Sequence, residues 1–258
     1  MEPLRGGVRH ILARRSGDRT RLDLPGAQER LLERVVAVGK PTVLVLLNGG
    51  ALAVNWAQAH VPAILEAWYP GQAAGSALAD VLFGDYNPGG RLPVTFYKRV
   101  EDLPPFDDYR MAGRRGRTYR FFRGQPLYSF GYGLSYTTFR YANLRTSSDT
   151  LAADGTITVR VDVTNTGQRR GDEVAQLYVR HRGSRVERPL EDLRGYRRVT
   201  LEPGETRTVE FRLAAPSLAY WSAEAHRWVV EAEPVELAVG GSSADLALKR
   251  TVSVLVRR

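Results

Sequence analysis

The hydrophobic pattern changes period once along the chain, near Tyr128, and this change limits the fold more than anything else in the sequence. Before it, apolar residues come in unbroken runs or at helical spacing. Residues 42–47 read Thr-Val-Leu-Val-Leu-Leu, a run that suits a strand buried on both faces of a parallel sheet. After it, apolar and polar residues alternate. Residues 157–163 read Ile-Thr-Val-Arg-Val-Asp-Val, the period of a strand with one face in a core. The two patterns require different architectures, an α/β layer followed by an all-β unit.

In the first part, Asp23-Leu24-Pro25 offers an N-cap with a proline close behind. Leu31, Leu32, Val35 and Val36 then fall at helical spacing, with Gly39 as a stop. Asn48-Gly49-Gly50 follows the first apolar run, at the end of a strand where α/β sheets hold their ligands. A short helix over 54–60 precedes a second run, Ala63–Trp68, broken by Pro70-Gly71. A helix over 72–83 ends at Gly84. Helix and strand alternate as in a parallel sheet covered on both faces, but only two such strands and Leu92–Phe96 can be found, so the layer is partial. Residues 98–127 read as a linker rich in Gly, Arg and aromatics. From 128 to 258, short runs at 156–163, 174–179, 196–201, 206–213, 227–230 and 235–239 are separated by Gly, Pro and Asn turns. They predict about seven strands in an immunoglobulin or fibronectin III-like sandwich. The expected boundaries are therefore 1–97, 98–127 and 128–258.

Composition excludes several functions. With no cysteine, disulfides and thiolate metal sites are ruled out. The four histidines, His10, His60, His181 and His226, have no ligand spacing, so no metal is predicted, and no cofactor motif is present. Gly84–Gly90 lacks the lysine of a phosphate loop and reads as a turn. The net charge of +9 is almost all arginine, since lysine occurs only at 40, 98 and 249. Those arginines are scattered in small groups rather than gathered in one basic stripe, so no nucleic-acid partner is expected. No run approaches the roughly 20 apolar residues of a membrane span, and the basic first residues have no apolar core of a secretory signal. No membrane partner is expected. The compartment follows only as cytoplasmic for the chain as written, with a periplasmic or secreted parent left open.

Four strings in order, residues 17–35 (GDRTRLDLPGAQERLLERV), 40–57 (KPTVLVLLNGGALAVNWA), 64–96 (ILEAWYPGQAAGSALADVLFGDYNPGGRLPVTF) and 126–139 (PLYSFGYGLSYTTF), resemble family 3 glycoside hydrolases, the β-glucosidases and β-xylosidases. Residues 165–179 and 189–206 are similar to the fibronectin III-like domain that ends many members. The resemblance implies a three-domain parent that hydrolyses β-linked glucosides or xylosides with retention. A barrel would hold the sugar and the nucleophilic aspartate, and an α/β domain would close over the site and donate the acid/base glutamate. A retaining pair needs its carboxyls roughly 5–5.5 Å apart. The barrel is absent from this sequence. Anchored on Asp18-Arg19, one alignment puts Arg15 at the glutamate's place; another puts the glutamate before Met1 or at Glu2. Glu2 is thus the one acid/base candidate in the chain, and the chain is expected to be inactive without the barrel. A non-catalytic carbohydrate-binding or accessory module is the alternative.

Other residues carry two readings each. Asp18 and Arg19 either shape the catalytic loop from behind or form a local ion pair. Trp68-Tyr69 either faces sugar or fills a core or domain interface, the latter favoured. Tyr119, Arg120 and Phe121, in Arg117–Phe122, either bind substrate at the rim of the site or pin the linker. Asp107-Asp108 reads as a solvated charge pair. Loss of the barrel should expose apolar surface around 48–56 and 68–69 and an unpaired sheet edge, favouring self-association.

Overall fold

The computed structural model describes residues 19–113 and 115–256. They form two compact units, each of which combines separate stretches of sequence.

The first unit takes in residues up to Tyr69 together with 96–104 and 125–127. Helix α1 (Gln28–Val36) leads to strand β1 (Val43–Leu46), helix α2 (Asn55–His60) and strand β2 (Ala63–Glu66). β1 and β2 pair in parallel, Val43 opposite Ala63 and Leu46 opposite Glu66. A parallel pair needs a crossover, and α2 with its flanking loops supplies it. The apolar side chains behind it are Leu46, Leu52, Ala53, Val54, Ala57 and Val61, all buried, with Phe96 and Tyr97. Two expectations need correction here. Asp23 does not cap α1: Ala27 occupies that position without a side-chain bond, and Asp23 instead accepts from the Arg21 guanidinium 2.9 Å away. β1 is not buried on both faces: Leu46 alone of its four residues is buried, and Val43 is exposed. Among the described residues it has one neighbouring strand rather than two, so one side remains uncovered.

The second unit combines residues 70–95 and 105–124 with everything from Tyr128 on. Helix α3 (Ala74–Phe83) stops where Gly84 adopts φ 86°, a left-handed C-cap that glycine takes without a Cβ penalty. Helix α4 is one turn, Thr118–Phe121. Ten strands follow: β3 (Phe139–Thr146), β4 (Thr150–Ala152), β5 (Thr156–Asn165), β6 (Gly171–His181), β7 (Asp192–Leu201), β8 (Thr206–Ala214), β9 (Tyr220–Ser222), β10 (Arg227–Val229), β11 (Pro234–Gly240) and β12 (Leu248–Leu255). β4-β12-β11-β6-β7 make one sheet and β3-β5-β8 the other. Val159, Val161 and Val163 of β5 meet Leu177 and Val179 of β6, Leu237 and Val239 of β11, and Val252 and Val254 of β12 in one dry core. The alternation that predicted β5 is thus the face it buries.

Three sequence expectations change. Leu92–Phe96 forms no strand; the Leu92 N–H donates to Tyr132 O and its carbonyl accepts from Gly131 N. Residues 227–230 were placed in the sandwich, but β10 pairs only with β9 in a separate ribbon. β3, β4, β9 and β12 lie outside the runs the sequence predicts. In β3 the pairing register breaks between Ala142 and Arg145, with Asn143 at φ 54°, which interrupts the alternation.

Candidate functional site at the ends of the parallel strands

The C-terminal ends of β1 and β2 bring together Asn48 and Glu66. The Asn48 amide nitrogen donates to Glu66 Oε2 at 3.2 Å and to Gly50 O at 2.8 Å. Glu66 Oε1 accepts from the backbone N–H of Trp68 at 3.1 Å. Half-burial pushes the Glu66 carboxyl above its ordinary range, and the two hydrogen bonds pull it back only in part. Asn48 Oδ1 is buried and accepts no hydrogen bond from the described residues. It lies next to the Glu66 carboxyl, to which the same amide donates.

The carboxyl also fixes the chain that follows. Trp68 sits at φ 53°, a conformation costing a bulky residue of order 1–3 kcal/mol, and the Glu66–Trp68 bond closes that turn. The turn splits the aromatic pair. Trp68 points inward, edge-on to Phe96 with ring centroids 6.0 Å apart, while Tyr69 is 80% exposed. The Tyr69 ring lies against Gly49, where an added Cβ would come within 2.7 Å of it. A side chain at Gly49 would therefore push the exposed Tyr69 ring off this loop. Arg19 reaches the same loop, donating from Nη2 to Ala51 O at 2.8 Å. Asp18, Arg15 and Glu2 lie outside the described residues.

In the second unit, Tyr119, Arg120 and Phe121 occupy the single turn of α4. The Tyr119 ring stacks on Phe130 at 4.4 Å and meets Tyr178 edge-on at 5.8 Å. Its hydroxyl oxygen accepts from Leu193 N at 3.2 Å, and its own N–H donates to Thr95 Oγ1 at 2.9 Å. Burial pushes its phenol pKa up. Arg120 pairs with Asp192 at 3.2 Å, and its carbonyl accepts from Leu190 N at 2.6 Å. Its guanidinium also lies 5.7 Å from the centre of the Phe121 ring. Tyr119 and Arg120 therefore tie this segment to β7 and the loop before it. Of the three, Phe121 makes the fewest polar commitments.

Of Asp107-Asp108, read as a solvated charge pair, Asp107 is exposed while Asp108 is half-buried in an ion pair with Arg110. Asp108 accepts from Arg110 at 2.9 Å, and that hydrogen bond holds its carboxyl down at about 2. Among the described residues no group of three or more His, Asp or Glu side chains could hold a metal, and no helix is long and apolar enough to cross a membrane. Sequence reasoning missed the Asn48–Glu66 clamp. The signal available was an acidic residue ending an otherwise apolar strand run, Ala63-Ile64-Leu65-Glu66.

The comparisons agree with this geometry along the chain. Residues 6–136 match the model of the glycosyl hydrolase family 3 C-terminal domain, and residues 173–243 match a fibronectin type III-like domain. A β-xylosidase of Formosa agariphila is 44% identical over 253 residues, covering 97% of this chain and 35% of that protein. A periplasmic β-glucosidase of Salmonella typhimurium is 41% identical over 220 residues, covering 82% and 29%. Among solved structures, a β-glucosidase from Erythrobacter marinus superposes with a TM-score of 0.83 at 38% identity, over 92% of this chain and 31% of that one. The β-D-glucoside glucohydrolase of Trichoderma reesei gives 0.81 at 32% identity, over 93% and 37%. The chain spans about a third of the length of the curated relatives it matches. An α/β layer with its polar cluster at the strand ends, an antiparallel sandwich after it, and both matched in order place the chain in glycosyl hydrolase family 3, whose C-terminal region it represents.

Proposed function

We propose that this chain is the C-terminal portion of a retaining β-glycosidase of the β-glucosidase or β-xylosidase type. It acts on β-linked glycosides or oligosaccharides when joined to a barrel domain that carries the nucleophile, and is catalytically incomplete without one. The observation that carries the reading is the 44% identity to a named β-xylosidase across 97% of the chain. The chemistry needs two carboxyls flanking the scissile bond. The family resemblance assigns one to the barrel and leaves Glu2 as the only candidate for the other within this sequence. In this reading the Asn48–Glu66 edge, with Tyr69 and the Arg19-supported loop, faces the sugar side. Tyr69 offers a ring face to pyranose C–H groups. Asp18, with Arg19, takes the role the family resemblance implies, shaping the catalytic loop. Tyr119 and Arg120 hold the segment on which Phe121 meets the leaving group.

The test is a fusion. The chain alone, and the chain joined to the barrel of the Formosa β-xylosidase, are assayed on p-nitrophenyl β-glucoside and β-xyloside. No turnover alone and turnover in the fusion is the expected result. Hydrolysis by the chain alone, after removal of host glycosidases, overturns the incompleteness. A folded but inert fusion on both substrates overturns the β-glycosidase reading.

A further inference from the structure

We infer that the β9–β10 ribbon is a docking site for neutral β-linked glycan chains, separate from the strand-end cluster. Of the four tryptophans in the sequence, two lie on this ribbon, and both are exposed: Trp221 at 52% and Trp228 at 65%. They sit directly opposite in the antiparallel register, rings 5.8 Å apart and 74° inclined, so one ring shows its face where the other shows its edge. Tryptophan is seldom left in water, and an exposed aromatic patch with a polar rim marks an interaction surface. A cross-strand aromatic pair also steadies a hairpin, and the two roles are compatible.

The ribbon is held in place at its base. The Arg188 guanidinium lies 4.8 Å from the centre of the Tyr220 ring, and it pairs with Glu231 at 3.2 Å just after β10. Glu231 also accepts from Ser184 Oγ at 2.5 Å and Arg185 N at 3.0 Å. Two indoles are thus displayed on an anchored support, and little ordering entropy is left for a ligand to overcome.

The rim selects the ligand. The turn that joins β9 to β10 carries Glu224 and His226, and Arg227 follows it, so the ribbon carries no run of one sign. An anionic polymer would find no basic stripe, and a cationic peptide no acidic one. A pyranose chain fits both halves of the surface: axial C–H groups on the indoles, equatorial hydroxyls on the rim. The choice of β-linked sugars rests on the proposed glycosidase reading; the choice of a neutral sugar rests on the ribbon itself.

The test is affinity electrophoresis of the full chain in gels containing arabinose-free xylan, barley β-glucan or dextran, with tryptophan fluorescence on xylohexaose. The chain should be retarded by at least one β-glycan and not by dextran. W221A/W228A should weaken retardation about tenfold, a change of one aromatic contact's order, while W221Y/W228Y keeps most of it, with thermal midpoints unchanged in both. Equal retardation of wild type and W221A/W228A, or none of the wild type, overturns the site. So does a wild-type dimer that the alanine variant dissolves, which would make the ribbon a protein contact. Retardation in an inert fusion would leave the site standing without the hydrolase reading, and turnover without retardation the reverse.

Discussion

Arg91 and Glu173 form an ion pair with side chains only 10% and 4% exposed, between the turn after α3 and the start of β6. Tyr141 Oη donates to the other Glu173 oxygen at 2.5 Å, and Arg91 also donates to the Gly133 carbonyl at 2.5 Å. One carboxylate thus joins three stretches of the second unit, residues 91, 133 and 141, that lie far apart in sequence. Burial of the phenol, and then the Glu173 carboxylate beside it, push Tyr141 far above its ordinary range, so its proton stays on the bond at any working pH.

Breaking this pair should cost more than the pair itself is worth. E173Q leaves a buried guanidinium without a counter-ion, a loss of about 3–5 kcal/mol. R91M strands the carboxylate on Tyr141 alone, at similar cost. The double variant R91M/E173Q removes both charges and keeps an oxygen for the Tyr141 hydroxyl, so it should recover part of the loss, a coupling of about 1–3 kcal/mol. Urea unfolding of the four proteins measures the cycle. Strictly additive losses, or single-variant losses under about 1 kcal/mol, would show that the pair is not the buried junction described.

His181 and Glu233 give the fold a pH dependence of known sign. His181 Nδ1 lies 2.6 Å from Glu233 Oε1, both side chains 2% exposed. Burial holds the imidazole below its ordinary 6.5, with Arg188 and Arg194 adding to the shift and Glu233 opposing it. The folded pKa lies below the unfolded one, so the unfolded chain takes up a proton first. This contribution is full above about pH 6.5 and is lost as pH falls from there through the folded pKa, by up to about 1.4 kcal/mol per pH unit. H181N should remove that slope. Urea midpoints of wild type and variant near pH 7.5 and 5.5 give the difference, in which the carboxylates common to both cancel. A wild type that gains stability relative to H181N on acidification contradicts the direction.

The sequence made the large features legible where a single period ran long enough. Val159, Val161 and Val163 announce β5 because one face of a strand is buried and the other is not. Gly84 announces the end of α3 because only a left-handed residue closes it there. Reading failed where the period broke or where partners were distant. β3 carries a register break, and in Leu92–Phe96 Leu92 bonds residues 131–132 while Phe96 meets Trp68, so the run is apolar without being a strand. The short run at 227–230 looks like a sandwich strand, yet its tryptophan faces solvent. The candidate site was legible only as a place, the loop after the first strand. Its chemistry depends on Glu66 lying 18 residues from Asn48 in sequence and 3.2 Å away in space, a pairing no local pattern encodes.

The uncovered side of β1 should make the chain associate. A cleft of about 500 Å3 runs along α1 and β1, lined by Leu31, Val35, Val43 and Leu47, all of them among the exposed apolar residues. β1 pairs only with β2 among the described residues, so its other edge presents backbone donors and acceptors beside that cleft. An apolar strip next to an open edge supports both strand pairing and hydrophobic association. Sedimentation at several concentrations should show reversible oligomers, and an apolar dye should bind in proportion to monomer. L47K and V43K place a charge on the edge without touching the core, so folding stability should change by about 0.5 kcal/mol or less. Both variants should shift the chain toward monomer and lower dye binding, V43K the more if strand pairing dominates, since Val43 lies within β1 and Leu47 just beyond it. A wild type that stays monomeric and dye-free at every concentration would show this face to be closed in solution, and variants that associate like wild type would place the contact elsewhere.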